Sequence, residues 1–452
     1  MRTRGRDDHR IVQKTPLVSN TFRPVRGLDH DYDDLLEYLV NRRFVLLGEA
    51  SHGSREFYRE RARITRQLIE RQHVTAIAVE ADWPDAYRVN RFVMGGSSDP
   101  DATAALGDFQ RFPAWMWRNR EVVDFVDWLR HYNDRQRDSS RKVRFYGLDI
   151  YSLQASMEAV VRYLDAVDPE EARRARARYA CFDHVAGEGQ AYGYALARGR
   201  GPSCENEVVA QLIALRRHSE AYLERDGWIA EDEHFFAEQN AVVVRDAEEY
   251  YEQMYRAEVS SWNLRDRHMA ATLNALVEHL DDQLGRSRIV VWEHNSHVGD
   301  ARATEMADRG ELNVGQLARQ WYGTESALVG FTTYAGEVTA ASDWGQAPRR
   351  RRVRPARPGS YEEVLHDLDA RDFWFLTHDP SLPDSLRQPR LYRAIGVIYR
   401  PETERISHYL ESRLLSQFDA VIHLDHTHAV EPLDRGPRWD AGEPPETFPT
   451  GL

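Results

Sequence analysis

Three histidines and a set of carboxylates follow short apolar stretches of this chain. Gly48-Glu49-Ala50-Ser51-His52-Gly53 follows Phe44-Val45-Leu46-Leu47, and Glu80 then Asp82-Trp83 follow the run from Val74 to Val79. Asp149 closes the stretch from Val143 to Leu148, and Glu293-His294-Asn295-Ser296-His297 follows Ile289-Val290-Val291-Trp292. Carboxylates and imidazoles in one place suit the activation of water. A neutral imidazole takes a proton near pH 7, and a carboxylate orients the ring and stabilises the imidazolium. A second histidine pair or an arginine polarises a carbonyl or holds an oxyanion. Arg61 lies two to three helical turns beyond His52, close enough to face back toward it.

Each residue alone has a plainer reading. Glu49 would serve as the cap of a helix starting near Ser54, although serine does that better. His52 alone reads as a satisfied loop histidine. Glu80 and Asp82 have Arg88 and Arg91 as candidate partners, and the i, i+3 spacing of His294 and His297 suits a shared ligand only weakly. Their convergence is what sets these residues apart. In open α/β sheets ligands bind outside the carboxyl ends of the strands, and four strand ends here deliver acids or imidazoles to one edge.

Other chemistries are less well served. There is no Gly-x-Ser-x-Gly elbow, and Cys181, three residues before His184, lies in an Arg-rich polar segment, so a covalent serine or cysteine mechanism is disfavoured. Histidine with carboxylate also suits zinc or manganese, which leaves a divalent metal held by Glu49, His52, Glu80 and His294 as the alternative. No His-Glu-x-x-His motif occurs. His423, His426 and His428 read as a polar strand edge.

The elements that must position these residues are legible. Phe44–Leu47, Val74–Val79, Val143–Leu148 and Ile289–Trp292 read as buried strands, and 54–72, 121–137 and 151–166 as amphipathic helices between them. Alternation of this kind predicts an α/β fold: a central, mostly parallel sheet flanked by helices. From Trp228 to Leu284 no Gly or Pro occurs, which predicts two or more helices broken near Val259-Ser260-Ser261 and ended by Gly285. Residues about 169–285 would be a large helical insertion, with 203–284 forming one wall of the site. Strands resume at Ala327–Tyr334, Phe373–Thr377, Ala394–Tyr399 and Ala420–Leu424. Residues 345–359 read as a basic loop, His408 as part of a surface helix, and Trp115, Trp117 and Trp128 as core. The expected layout is a flexible segment 1–20, an α/β domain 21–435 and an extended tail 436–452.

The 452 residues carry 60 Lys and Arg against 73 Asp and Glu, a net charge of −13 that makes nucleic acid an unlikely partner. No Gly-Lys-Ser/Thr step exists, so a Walker A loop is absent. No apolar run reaches the length of a membrane helix. With two cysteines a disulfide framework or a cysteine-ligated zinc is excluded, and a cytoplasmic location is the default.

Leu-Leu-Gly-Glu-Ala-Ser-His-Gly at 46–53, Val-Glu-Ala-Asp-Trp at 79–83, Asn-Leu-Arg-Asp-Arg-His-Met at 263–269 and Trp-Glu-His-Asn-Ser-His-Val at 292–298 resemble the erythromycin esterase family, in the family's order. The resemblance spans about residues 30–435. It implies hydrolysis of a macrolide lactone ester, and hence antibiotic inactivation and resistance, with no obligatory cofactor. It implies His52 as the base that activates water, Glu49, Glu80, His294 and His297 as active-site residues and Arg61 as a supporting cation. Arg265 and Asp266 would reach the cleft from the helical region, with Asp149 and Trp83 beside the substrate. The competing reading is a non-catalytic or metal-dependent protein of the related haem- and metal-binding superfamily, using the same cleft. The expected partner is a small ester or lactone, with no nucleic acid and no membrane; oligomeric state is not legible.

Overall fold

The computed structural model describes residues 21–184, 189–199, 202–219, 222, 228–255, 258–368, 371–436 and 439. The expected lead-in 1–20 and most of the tail 436–452 lie outside the described residues. In chain order the strands are β1 (Arg23–Pro24), β2 (Phe44–Leu47), β3 (Ala76–Asp82), β4 (Arg144–Asp149), β5 (Ile289–Trp292) and β6 (Ser326–Thr332). They continue with β7 (Ala335–Ala340), β8 (Arg349–Val353), β9 (Asp372–Leu376), β10 (Arg390–Arg393), β11 (Tyr409–Ser412), β12 (Ala420–Leu424) and β13 (His426–Thr427). One eight-stranded sheet dominates, in the order β1-β9-β12-β6-β2-β5-β3-β4. Every pair from β12 to β4 is parallel, and β9 runs antiparallel to both β12 and β1.

Helices on both faces explain the unbroken apolar runs, since such strands are buried on each side. The longer helices are α1 (Asp33–Leu39), α2 (Arg55–Gln72), α3 (Trp83–Met94), α4 (Arg120–Asp134), α5 (Leu153–Val167) and α6 (Pro169–Tyr179). After these come α7 (Gly189–Ala197), α8 (Glu205–Arg217), α9 (Trp228–Met254), α10 (Glu258–Leu284) and α11 (Val314–Tyr322). Val45, Leu47, Val290 and Trp292 share a core with Phe57, Ile64 and Leu68 of α2 and Phe125 of α4. The alternate residues Phe44, Leu46, Ile289 and Val291 share a second core with Leu273, Leu276 and Leu280 of α10 and Val314 of α11. Alternation along a strand thus splits the chain between two cores. Helices α5 to α9 gather a third core around Val160, Leu212 and Val244. The helices between β4 and β5 are therefore joined to the sheet chiefly through α10.

Several expectations are corrected. The break in 228–284 falls between Met254 and Glu258, so Val259-Ser260-Ser261 lies inside α10. The arginine-rich stretch 345–359 contains a strand: β8 pairs antiparallel with β7, burying Arg351 and Val353 while Arg352 and Arg354 face outward. Ala394–Tyr399 forms only single bridges, Ile395 to Ser51 and Ile398 to Ala341. His408 is not on a surface helix; it is buried after a single turn, and desolvation pushes its imidazole down to about 4. The two cysteines, too few for a framework, are bonded to each other.

Candidate active site

The loop after β2 carries Glu49 and His52 and is pinned on every side. Asn295 N donates to Glu49 O at 2.8 Å, Ile395 N to Ala50 O at 2.8 Å, and the Tyr58 hydroxyl to His52 O at 2.8 Å. Gly53 sits so close to β7 that a Cβ would lie 1.9 Å from Thr339 O, which is why the motif needs glycine there. On β3 the register to β4 shifts between Val79 and Asp82, a bulge that re-aims Glu80. Gly147 of β4 lets the bulge approach; a Cβ there would meet Ala81 O at 2.4 Å. After β5 the helical turn Asn295–Val298 presents His294 and His297.

These pieces meet in a cavity of about 440 Å³ at the carboxyl edge of the sheet. His52, Glu80, Asp149, Arg265, His294 and His297 all line it. His52 Nδ1 donates to Glu49 Oε1 at 2.9 Å, and Arg61 Nη2 donates to Glu49 Oε2 at 2.6 Å. The ring's other nitrogen, Nε2, is 3.9 Å from Glu80 Oε1. Glu80 Oε2 accepts the His294 amide at 2.8 Å, and Glu80 Oε1 accepts Arg265 Nη2 at 2.8 Å. Arg265 also grips Asp149 with two bonds of 2.9 and 2.7 Å.

Burial would raise the Glu80 carboxyl, but His297, His52, Arg265 and His294 outweigh it and hold the group well below the usual carboxylate range. Asp149 is likewise lowered, burial being overcome by Arg265. Burial, helped by the nearby His52, pushes His294 well below its ordinary value, so its ring is neutral. Its Nδ1 accepts the Ser296 amide at 3.2 Å, so Nε2 carries the proton.

His297 behaves oppositely. Burial disfavours its charge, but Asp266, whose Oδ1 is 2.8 Å from Nδ1, and Glu80 lift it to about 9. The Arg265 Nη1 contact at 3.1 Å is a hydrogen bond only to the neutral ring and opposes the rise. Trp262 stacks on the ring at 4.7 Å, favouring the cation. A histidine raised on folding adds stability below its unfolded value, and that stability is lost as pH rises to about 9. From neutrality to about pH 9 the urea midpoint of the wild-type protein should therefore fall more steeply than that of His297→Gln. Parallel slopes would mean a neutral His297.

Some expected residues stand one layer back. Glu49, Arg61 and Asp266 do not line the cavity; Glu49 and Asp266 hold His52 and His297, and Arg61 holds Glu49. Trp83 is a correction. It turns into the second core, 1% exposed, stacked on Tyr146 at 5.6 Å and donating to Phe236 O, and so cannot touch a substrate in the cavity. Trp115 and Trp128 pack as core, but Trp117 lines the cavity and donates to Glu80 O at 3.2 Å. Asp82 pairs with Arg111 rather than Arg88 or Arg91. Arg111, Tyr151, Trp262 and Asp85 were missed; their spacing carries no strand-end signal. In the alternative metal set, Glu49 already commits both oxygens to His52 and Arg61. Among the described residues no group of three or more His, Cys, Asp or Glu is placed to hold an ion.

An imidazole oriented by a buried carboxylate and open to a cavity that also holds Glu80, Arg265 and two further histidines suits a hydrolase. The family model for erythromycin esterase matches residues 69–427, and the chain belongs to that family. It is 22% identical over 409 residues to a putative hydrolase, YbfO, of Bacillus subtilis, covering 87% of this chain and 85% of that one. It is 22% identical over 412 residues to erythromycin esterase type II of Escherichia coli, covering 84% and 94%. A mutant of the erythromycin esterase EreC in its open conformation shares the fold, with a TM-score of 0.66 and 17% identity over 90% of this chain and 98% of that one.

Proposed function

We propose that the protein is a carboxylic ester hydrolase that opens a lactone or other ester with water activated by His52. The observation that carries this reading is the His52 relay: Arg61 to Glu49 to Nδ1, with Nε2 left facing the cavity 3.9 Å from Glu80. Water between them gives one proton's hydrogen bond to Nε2 and the other to the ionised Glu80, so its lone pair faces the acyl carbon. His52 takes the proton as the new C–O bond forms. The oxyanion is stabilised by the His297 imidazolium and Arg265. Collapse breaks the ester C–O bond, and His52 returns the proton to the departing alkoxide. Every step uses side chains of this chain, so no metal or organic cofactor belongs to the proposal.

A macrolide ring lactone is the first substrate to try, since the Escherichia coli relative is named as an erythromycin esterase. Inactivation of such an antibiotic in the cytoplasm would then be the physiological consequence. Among the described residues no helix is long and apolar enough to cross a membrane. Purified protein incubated with macrolides, simple lactones and aryl esters should convert at least one to a product heavier by one water, read by mass spectrometry. A panel that binds without gaining water would overturn the assignment.

A further inference from the structure

The cavity has a second polar end that the hydrolytic cycle does not use. Asp85, in the first turn of α3, lines the cavity and is 8% exposed. Among the described residues its carboxyl has no hydrogen-bond or ion-pair partner. Its neighbours explain why none of them serves. Asp82 is taken by both nitrogens of the Arg111 fork, at 2.9 Å each, and Asp108 is taken by Arg88, which also binds Asp99 at 2.7 Å. The two nearby cations are thus already neutralised, and Asp85 remains as an unpaired carboxyl on the cavity lining. Aromatic rings border the same space: Phe109, Trp117 and, half-exposed, Trp344; the Tyr151 ring is already covered by Arg111 and Arg265. Unpaired acid beside aromatic rings is the chemistry that receives an organic ammonium group.

We propose that Asp85 forms a subsite for a cationic amine on the substrate, so that the enzyme prefers esters carrying a tertiary or quaternary ammonium group away from the scissile bond. The inference rests on the esterase reading for its catalytic readout, though not for binding. Strand β3 joins the two ends, with Glu80 at the reaction centre and Asp82 beside the subsite, so one ligand spans both. Burial, with Asp82 and Asp108 nearby and Arg111 opposing, lifts the Asp85 carboxyl to about 8. A bound cation favours the ionised form, so binding of a fixed positive charge tightens as pH rises toward that value.

The test uses 4-nitrophenyl esters of ω-trimethylammonio acids of increasing chain length, each paired with the uncharged tert-butyl isostere. The wild-type protein should prefer one or more cationic members by about ten- to hundred-fold in kcat/KM, mostly through KM. Asp85→Asn, which keeps the shape, should abolish that preference, leave the isosteres unchanged, and flatten the fall of cationic KM between pH 6 and 9. Calorimetry with the corresponding trimethylammonio amides reads binding without turnover. Hydrolysis of the isosteres with no cationic preference at any length overturns the subsite and leaves the esterase reading standing. Amide binding that needs Asp85, without hydrolysis of any ester, supports the subsite and overturns the esterase reading. Absence of both hydrolysis and Asp85-dependent binding overturns both.

Discussion

His52→Asn should fold as the wild-type protein does and lose about 10²- to 10⁴-fold in kcat, the range that general-base catalysis supplies. Asparagine keeps an amide to face Glu49 but has no nitrogen that takes a proton. Because the neighbouring loop is held by backbone bonds from Asn295 and Ile395 and by the Tyr58 hydroxyl, the change removes chemistry with little structural loss. The measurements are turnover of whichever ester the panel yields, and melting temperature as the control. A folded variant with near-native turnover would remove His52 from the mechanism. Glu80 would then be the leading candidate for the base, since His294 is buried, neutral and aimed by Ser296 to donate.

The second large effect is on stability as well as rate. Among the described residues Arg265 is the one side chain that bonds both Glu80 and Asp149, and it is mostly enclosed, its side chain 14% exposed. Arg265→Leu leaves two buried carboxylates short of their cation, a change that typically costs about 3–5 kcal/mol. Lysine restores charge but not the fork that grips both Asp149 oxygens, so Arg265→Lys should recover only part of the loss. Urea denaturation of the three proteins decides it. A leucine variant with the wild-type midpoint would show that water already screens the cluster.

The sequence revealed the sheet and the reactive edge for one reason. Parallel strands buried on both faces are continuous apolar runs, and what interrupts them at their carboxyl ends is chemistry; Phe44–Leu47 before Glu49 and Ile289–Trp292 before His294 show this directly. Residues reached from elsewhere were harder. Arg265 and Asp266 entered through the family's motif, because on a helix nothing in periodicity separates a residue facing a site from one facing a core. Trp83 was misplaced for that reason: one residue past Asp82, at the first position of α3, its direction is set by the helix rather than the strand. Asp85 sits in a helix first turn, where an acid is common and marks no site. Strand β8 was hidden by composition, since four arginines in five residues mask the alternation that leaves Arg351 and Val353 inside.

The place of β5 in the sheet sets the order in which the molecule can be made. β2 touches only β5 and β6, while β3 touches only β4 and β5. A nascent chain that has emerged as far as α9 therefore holds β2, which His52 follows, without either of its partners, and β3, which carries Glu80, paired with β4 alone. The strand that stitches them together is the one that brings His294 and His297. Pairings of such long separation are slow to form because loop closure must precede the contacts that reward it. The base and the carboxylate it faces are thus brought together late, when β5 has paired with both β2 and β3.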